Sequence, residues 1–209
     1  MPPDEAHVWW ASLDQAPETL AAWELTLDET ERDRACRFRF ARDRDRFIAS
    51  HGLLREILAT ALSGAPASIR FAYGPNGKPR LAAHSKLHFN LSHSDSLALV
   101  AVAWEREIGV DVERVRALPE MEEIARRVFS QEEQAAWQAA APAERTPVFF
   151  RLWTRHEAIA KCSGAGLAEV EGPVDFRGTV TEVTPAPDFF GAVAVAEGPP
   201  VQVVMLRAR

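Results

Sequence analysis

Apolar residues recur along the chain in two periods, and the switches between those periods outline its elements. Residues 7–11 read as a first strand, and a helix is expected from Pro17 to Trp23. Asp28 with Glu31 three residues on reads as a capping box, opening a helix that carries Arg32, Arg34, Arg37 and Arg39. Phe47, Ile48, Leu54, Ile57, Leu58, Ala61 and Leu62 then fall at helical spacing until Gly64 and Pro66 stop the run. Residues 69–73 form a strand pattern, Gly74-Pro75-Asn76-Gly77 a turn, and residues 78–81 lead out of it.

Residues 87–94 run from a strand into a polar loop. Residues 96–103 make a strand nearly continuous in apolar side chains, and 108–113 alternate strictly after a short turn. Two short helices are expected over 119–128 and 130–137, the second opened by a capping box of Ser130 and Glu133. A long helix follows over 148–162, with Gly164 and Gly166 as stops, and the tail holds strand candidates around 174–176, 178–183, 191–196 and 201–206. Strand–turn–strand runs beside helices predict an α+β fold. Each half offers a long helix with a glycine stop and a strand-rich remainder, with no repeat at the level of residues.

Composition works by exclusion. A chain of 209 residues that is 47% hydrophobic and 26% charged fits a soluble globular protein with a sizeable core. Its net charge of −6 argues against a general nucleic-acid partner. No apolar run approaches the ~18 residues of a membrane span, and no secretion signal is evident, so no membrane partner is expected. Cys36 and Cys162 stand far apart without CxxC spacing, which fits a reducing cytoplasm. Of 24 basic residues only Lys78, Lys86 and Lys161 are lysines, so each stands out against a background of arginine. Arginine stays charged, whereas a buried lysine can pass a proton.

Within 108–113, Gly109, Asp111 and Glu113 share one strand face, and Ile108, Val110 and Val112 share the other. Two carboxylates that close repel, and one takes up a proton unless a cation sits between them. Mg²⁺ is commonly held by one or two carboxylates plus substrate phosphates. The plainer alternative is a half-exposed strand with an acidic outer face. On the helix over 148–162, Phe149, Leu152, Trp153, His156 and Ala160 gather on one side, and Glu157 and Lys161 lie at its edge, where they can face a cleft. The alternative there is a surface pair worth about 0.3–0.5 kcal/mol. Between Glu31 and Arg46 seven arginines oppose four acids. That patch suits bidentate phosphate contacts, or equally a solvated helix laced with ion pairs. His84, His88 and His93 lack the spacing of a zinc site, and P-loop, GxGxxG and GxSxG signatures are absent.

Four stretches follow one another in a set order: Gly77-Lys78-Pro79, Phe89-Asn90-Leu91-Ser92-His93-Ser94, Gly109-Val110-Asp111-Val112-Glu113, and Trp153-Thr154-Arg155-His156-Glu157-Ala158-Ile159-Ala160-Lys161. Together they resemble the 4′-phosphopantetheinyl transferases, in particular the larger surfactin-synthetase-activating type, whose last motif reads W-x-x-K-E-[AS]-x-x-K. The resemblance covers residues 77–161, and the arginine-rich helix before it and strand-rich tail after it also fit.

The resemblance implies two similar α/β halves, 1–106 and 107–209, related by a pseudo-twofold, with coenzyme A and Mg²⁺ in the cleft between them. It implies transfer of 4′-phosphopantetheine to a serine of an apo acyl or peptidyl carrier protein, with adenosine 3′,5′-bisphosphate leaving. Asp111, Glu113 and Glu157 would be the metal carboxylates, Glu157 also the base, and Lys161 the cation that meets the pyrophosphate. Lys78, Pro79, Ser92 and His93 would contact coenzyme A. Arg34, with Arg42 and Arg46 as neighbours, would hold its 3′-phosphate. The doubled plan suggests a monomer, and the apolar surface near residues 128–137 a carrier dock. Two positions depart from the pattern: His156 replaces the family's first lysine, and Glu31 stands about where a second basic contact to the 3′-phosphate is expected. A non-catalytic protein that grips coenzyme A or a carrier, and a metal-dependent hydrolase of nucleotide phosphates, are the competing readings.

Overall fold

The first strand, β1 (Glu5–Ser12), buries Ala6 and Val8, alternate positions on one face, completely. It belongs to a computed structural model that describes residues 2, 4–83, 86–164 and 176–208. Helix α1 (Pro17–Glu24) opens on a proline, and α2 (Glu29–Cys36) on the reciprocal capping box of Asp28 and Glu31. α2 stops before Arg37, and a break through Phe40 precedes α3 (Ala41–Ala61). Arg37 and Arg39 therefore lie between helices.

A short hairpin of β2 (Phe71–Tyr73) and β3 (Pro79–Leu81) leads to a longer one of β4 (Leu87–Ser94) and β5 (Leu97–Trp104). The stretch His93-Ser94, expected in a loop, is strand. Its residues pair with Ala98 and Leu97, and Asp95, in the left-handed region at φ 49°, makes the turn.

The second half supplies β6 (Ile108–Arg114), α4 (Met121–Val128), α5 (Gln131–Ala139) and α6 (Arg145–Ser163). It continues with β7 (Gly178–Val183), β8 (Phe189–Ala196) and β9 (Gln202–Arg207). Of the strand candidate near 174–176 only Phe176 lies within the described residues, and it is irregular.

Both halves follow one plan. In each, a strand is followed by helices and then by a hairpin whose second strand pairs antiparallel with the first strand of that half. The sheets run β4-β5-β1-β9 and β6-β8-β7. β9 pairs parallel with β1, so the chain crosses back over the 106/107 division to close the edge of the first sheet.

α3 covers one face of the first sheet with Phe47, Ile48, Leu54 and Leu58 against Val100 and Val102. The opposite face packs Val8, Leu99 and Ala101 against Val110, Val112, Val193 and Val195 of the second sheet. α6 closes the far side of that sheet through Ala158 and Cys162 on Ala192 and Ala194. Burial of these side chains at about 25 cal/mol per Å² fixes the two sheets and two helices relative to one another.

At the seam, β4 and β6 are joined by side chains instead of a backbone ladder. Asn90 Oδ1, Ser92 Oγ and Ser94 Oγ, alternate residues on one strand face, accept from the backbone N–H groups of Val110, Val112 and Arg114. The polar run that resembles a loop is thus a row of acceptors for the edge of its neighbour.

Candidate active site

Strand β6 turns Val110 and Val112 to the core, so Gly109, Asp111 and Glu113 face the other way. That face is covered by α6. A Cβ on Gly109 would lie 2.8 Å from Cys162 Cα and closer still to the Ala158 carbonyl oxygen and the Cys162 nitrogen. The missing side chain lets the helix backbone settle directly on the strand, which brings Glu157 and Lys161 over the two carboxylates.

Asp111 is buried, and its Oδ1 accepts from Ser92 Oγ at 2.9 Å and from Lys161 Nζ at 2.6 Å. Lys161 also donates to Ser92 Oγ at 2.9 Å. The other carboxylate oxygen, Oδ2, is buried without a partner among the described residues. Burial pushes the Asp111 carboxyl up and Lys161 only partly offsets it, helped by Ser92, while Glu113 adds to the rise. Glu157 is buried at 5% exposure, and burial together with the charges of Asp111 and Glu113 pushes it up to about 7. Glu113 sits at the mouth, accepting from Ser94 Oγ at 2.6 Å and from Arg116 at 2.8 Å.

Glu113 thus adds to the rise of Asp111, and both add to that of Glu157. Among the described residues no set of three or more His, Cys, Asp and Glu side chains is arranged as ligands of one ion. Lys161 neutralises Asp111, while Ser94 and Arg116 draw Glu113 outward. The donor set still fits a hard divalent cation. Its donors are carboxylate oxygens, one of them buried and unpartnered, and two of the acids are held above their ordinary values by burial, with neighbouring acids adding to the rise.

His93, at the end of β4, is exposed. Burial and the positive charges of His51, Lys161 and Arg34 hold its pKa down. Arg34 rests its guanidinium 5.3 Å from the Phe47 ring and has no carboxylate partner among the described residues. Arg42 and Arg46 point elsewhere. Arg46 holds Asp14 at 2.9 Å and Asp95 at 2.7 Å, and Arg42 pairs with Asp43 while 69% exposed.

Lys78 is a structural pin. Its ammonium donates to Glu107 at 2.6 Å, the Cys162 carbonyl at 2.9 Å and the Ile108 carbonyl at 3.3 Å, which caps the C-terminus of α6. Beside it a cavity of about 440 Å³ opens between Pro79, His88, Glu107 and Gly164, away from Asp111 and Glu157. Ser92, expected at coenzyme A, spends its hydroxyl on Asp111, Lys161 and Val112.

His156 turns to α5, with Nε2 3.0 Å from Glu133 and the ring stacked on Phe129. Glu133 is the capping-box residue of that helix, so the pair ties α6 to α5 and stands apart from the carboxylates. Val128 and Trp137 are buried in the same apolar cluster as Phe149, so they do not form an exposed dock. Of the histidines once weighed for zinc, His88 pairs with Glu107 and His84 lies outside the described residues.

Residues 107–192 match the 4′-phosphopantetheinyl transferase superfamily, and residues 10–105 match the family described as 4′-phosphopantetheinyl transferase, N-terminal. The chain is 41% identical over 171 residues to the 4′-phosphopantetheinyl transferase HetI of Nostoc sp., covering 80% of this chain and 72% of that one. It is 37% identical over 116 residues to AcpT of Salmonella typhimurium, covering 56% and 59% of the two chains. It is 31% identical over 142 residues to Sfp of Bacillus subtilis, covering 68% and 62%. Both are also 4′-phosphopantetheinyl transferases. The matched regions fall on the two halves of the fold and meet at the seam that carries Ser92, Asp111 and Lys161, and the chain belongs to the 4′-phosphopantetheinyl transferase family.

Proposed function

We propose that this chain transfers the 4′-phosphopantetheine group of coenzyme A to a serine hydroxyl of an apo acyl or peptidyl carrier protein, using Mg²⁺, and releases adenosine 3′,5′-bisphosphate. Within the family it falls with the larger, surfactin-synthetase-activating type, in which one chain supplies both halves and acts as a cytoplasmic monomer. The observation that carries the reading is the buried pair of Asp111 and Glu157 beside the half-buried Lys161, with one Asp111 oxygen unpartnered and Glu157 raised to about 7.

In the reaction the serine oxygen bonds to the phosphorus that bears pantetheine, and the bond from that phosphorus to the bridging pyrophosphate oxygen breaks. Glu157, at the buried end of the site, accepts the serine proton directly or through water. Lys161 offers its ammonium to the charge that gathers on the leaving oxygen. Asp111, Glu113 and Glu157 would hold the cation, whose charge, when bound, counters that of the pyrophosphate. His93 and Arg34, near one another at the surface, offer contacts to phosphate oxygens.

The binding-only alternative rests on the change at His156, and that residue pairs with Glu133 away from the carboxylates. The test mixes protein, coenzyme A, Mg²⁺ and an apo carrier and weighs the carrier. A gain of one phosphopantetheine group is expected. Several carriers left unmodified would contradict the proposal, and release of adenosine 3′,5′-bisphosphate without a carrier would favour the hydrolase.

A further inference from the structure

His51 lies within an otherwise apolar helical stretch and carries no motif, yet it stands at the centre of a charged construction. Its Nδ1 lies 2.8 Å from Glu31 Oε1, and because a carboxylate only accepts, Nδ1 carries the proton. Glu31 is itself buried at 2% exposure. Its other oxygen accepts from Arg55 Nε at 2.7 Å and from the Asp28 backbone at 3.0 Å. Arg55 is fully buried and held further by Asp28 and the carbonyls of Pro66 and Ile69. The acid that sequence places where a basic contact belongs therefore points inward and fixes a histidine. The ring is stacked on Phe47 at 4.1 Å, the same ring that Arg34 overlies.

Three basic side chains from three elements, Arg34 of α2, His51 of α3 and His93 of β4, thus share one corner, close enough for His93 to feel the other two. Neither Arg34 nor His93 has a carboxylate hydrogen-bond partner among the described residues, so the donors of this corner are not taken up by acids beyond the Glu31–His51 pair. Such an arrangement is stabilised by an anion.

We propose that His51 supplies the second basic contact to the 3′-phosphate of coenzyme A, beside Arg34, with Glu31 as the positioning residue that fixes its Nδ1–H and leaves Nε2 for the ligand. The proposal rests on the transferase reading for the identity of the ligand. A phosphomonoester, with a second pKa near 6, can share the proton that an Nε2–oxygen contact requires.

The test compares binding of coenzyme A and of 3′-dephospho-coenzyme A by calorimetry in wild type, His51→Ala and His51→Gln. The glutamine keeps a donor to Glu31, so one variant stays folded if the alanine does not. Wild type should prefer coenzyme A, and both variants should lose about tenfold for it with little change for the dephospho form. An unchanged preference, or an equal loss for both ligands, overturns the inference. Failure of wild type to bind either ligand, or to transfer, would instead strike the transferase reading.

Discussion

Gly109 lies directly beneath Ala158, and the backbone of α6 rests where any side chain on that residue of β6 would project. The carboxylates of the strand and the Glu157–Lys161 edge of the helix meet because of this approach. Gly109→Ala must push the helix away by breaking backbone contacts, which no rotamer change relieves. A loss of about 3 kcal/mol in thermal or denaturant unfolding is expected, with transfer activity falling further than stability alone explains. A variant that unfolds with wild type would show that the helix sits farther off.

Ser92 holds three groups together: it donates to Asp111, accepts from Lys161 and accepts from the Val112 N–H. Ser92→Ala leaves those groups short of partners at a buried seam, at a cost of about 1–3 kcal/mol. Denaturant unfolding measures this directly. Ser92→Ala should also weaken cation binding, since Asp111 loses its orientation.

Glu157 has a value of about 7 in the fold against an ordinary 4.5. For a raised carboxyl, the stabilising contribution is complete below about 4.5 and is lost as pH climbs through 7. Metal-free protein should therefore lose stability across that window, by on the order of 3 kcal/mol at most. A divalent cation binds the ionised form, so Mg²⁺ should raise the thermal midpoint more at pH 8 than at pH 6. Equal shifts at the two values would contradict the raised carboxyl.

His156→Lys restores the family residue and places an ammonium facing Glu133. Its KM for coenzyme A should stay within about twofold of wild type, whereas His156→Leu should destabilise by about 1 kcal/mol through the lost hydrogen bond to Glu133. A large rise in KM on His156→Lys would mean that the histidine touches substrate.

The two faces of β6 and both capping boxes were legible, because each follows from a local period or a fixed spacing, whereas Glu157, expected at the edge of an apolar helix face, is buried against β6. Gly109 was visible only as part of a motif, since its purpose depends on a helix far along the chain. The acceptor row of Asn90, Ser92 and Ser94 resembled a loop because its partner is another strand's edge. Charge counting grouped seven arginines that the fold disperses: Arg46 serves Asp14 and Asp95, and Arg34 alone of the three named for phosphate shares a corner with His93. His51 had no sequence signal beyond being a histidine in an apolar helix, for its partner Glu31 arrives from another element.

The central claim is that acids of β6 and α6 together grip a divalent cation at a pyrophosphate. Titration of Mn²⁺, followed by its electron paramagnetic resonance, into protein with saturating coenzyme A tests it most directly. One tightly held ion per chain is predicted for wild type, with affinity weakened at least tenfold in both Asp111→Asn and Glu157→Gln. Unaltered Mn²⁺ affinity in either variant would contradict the account.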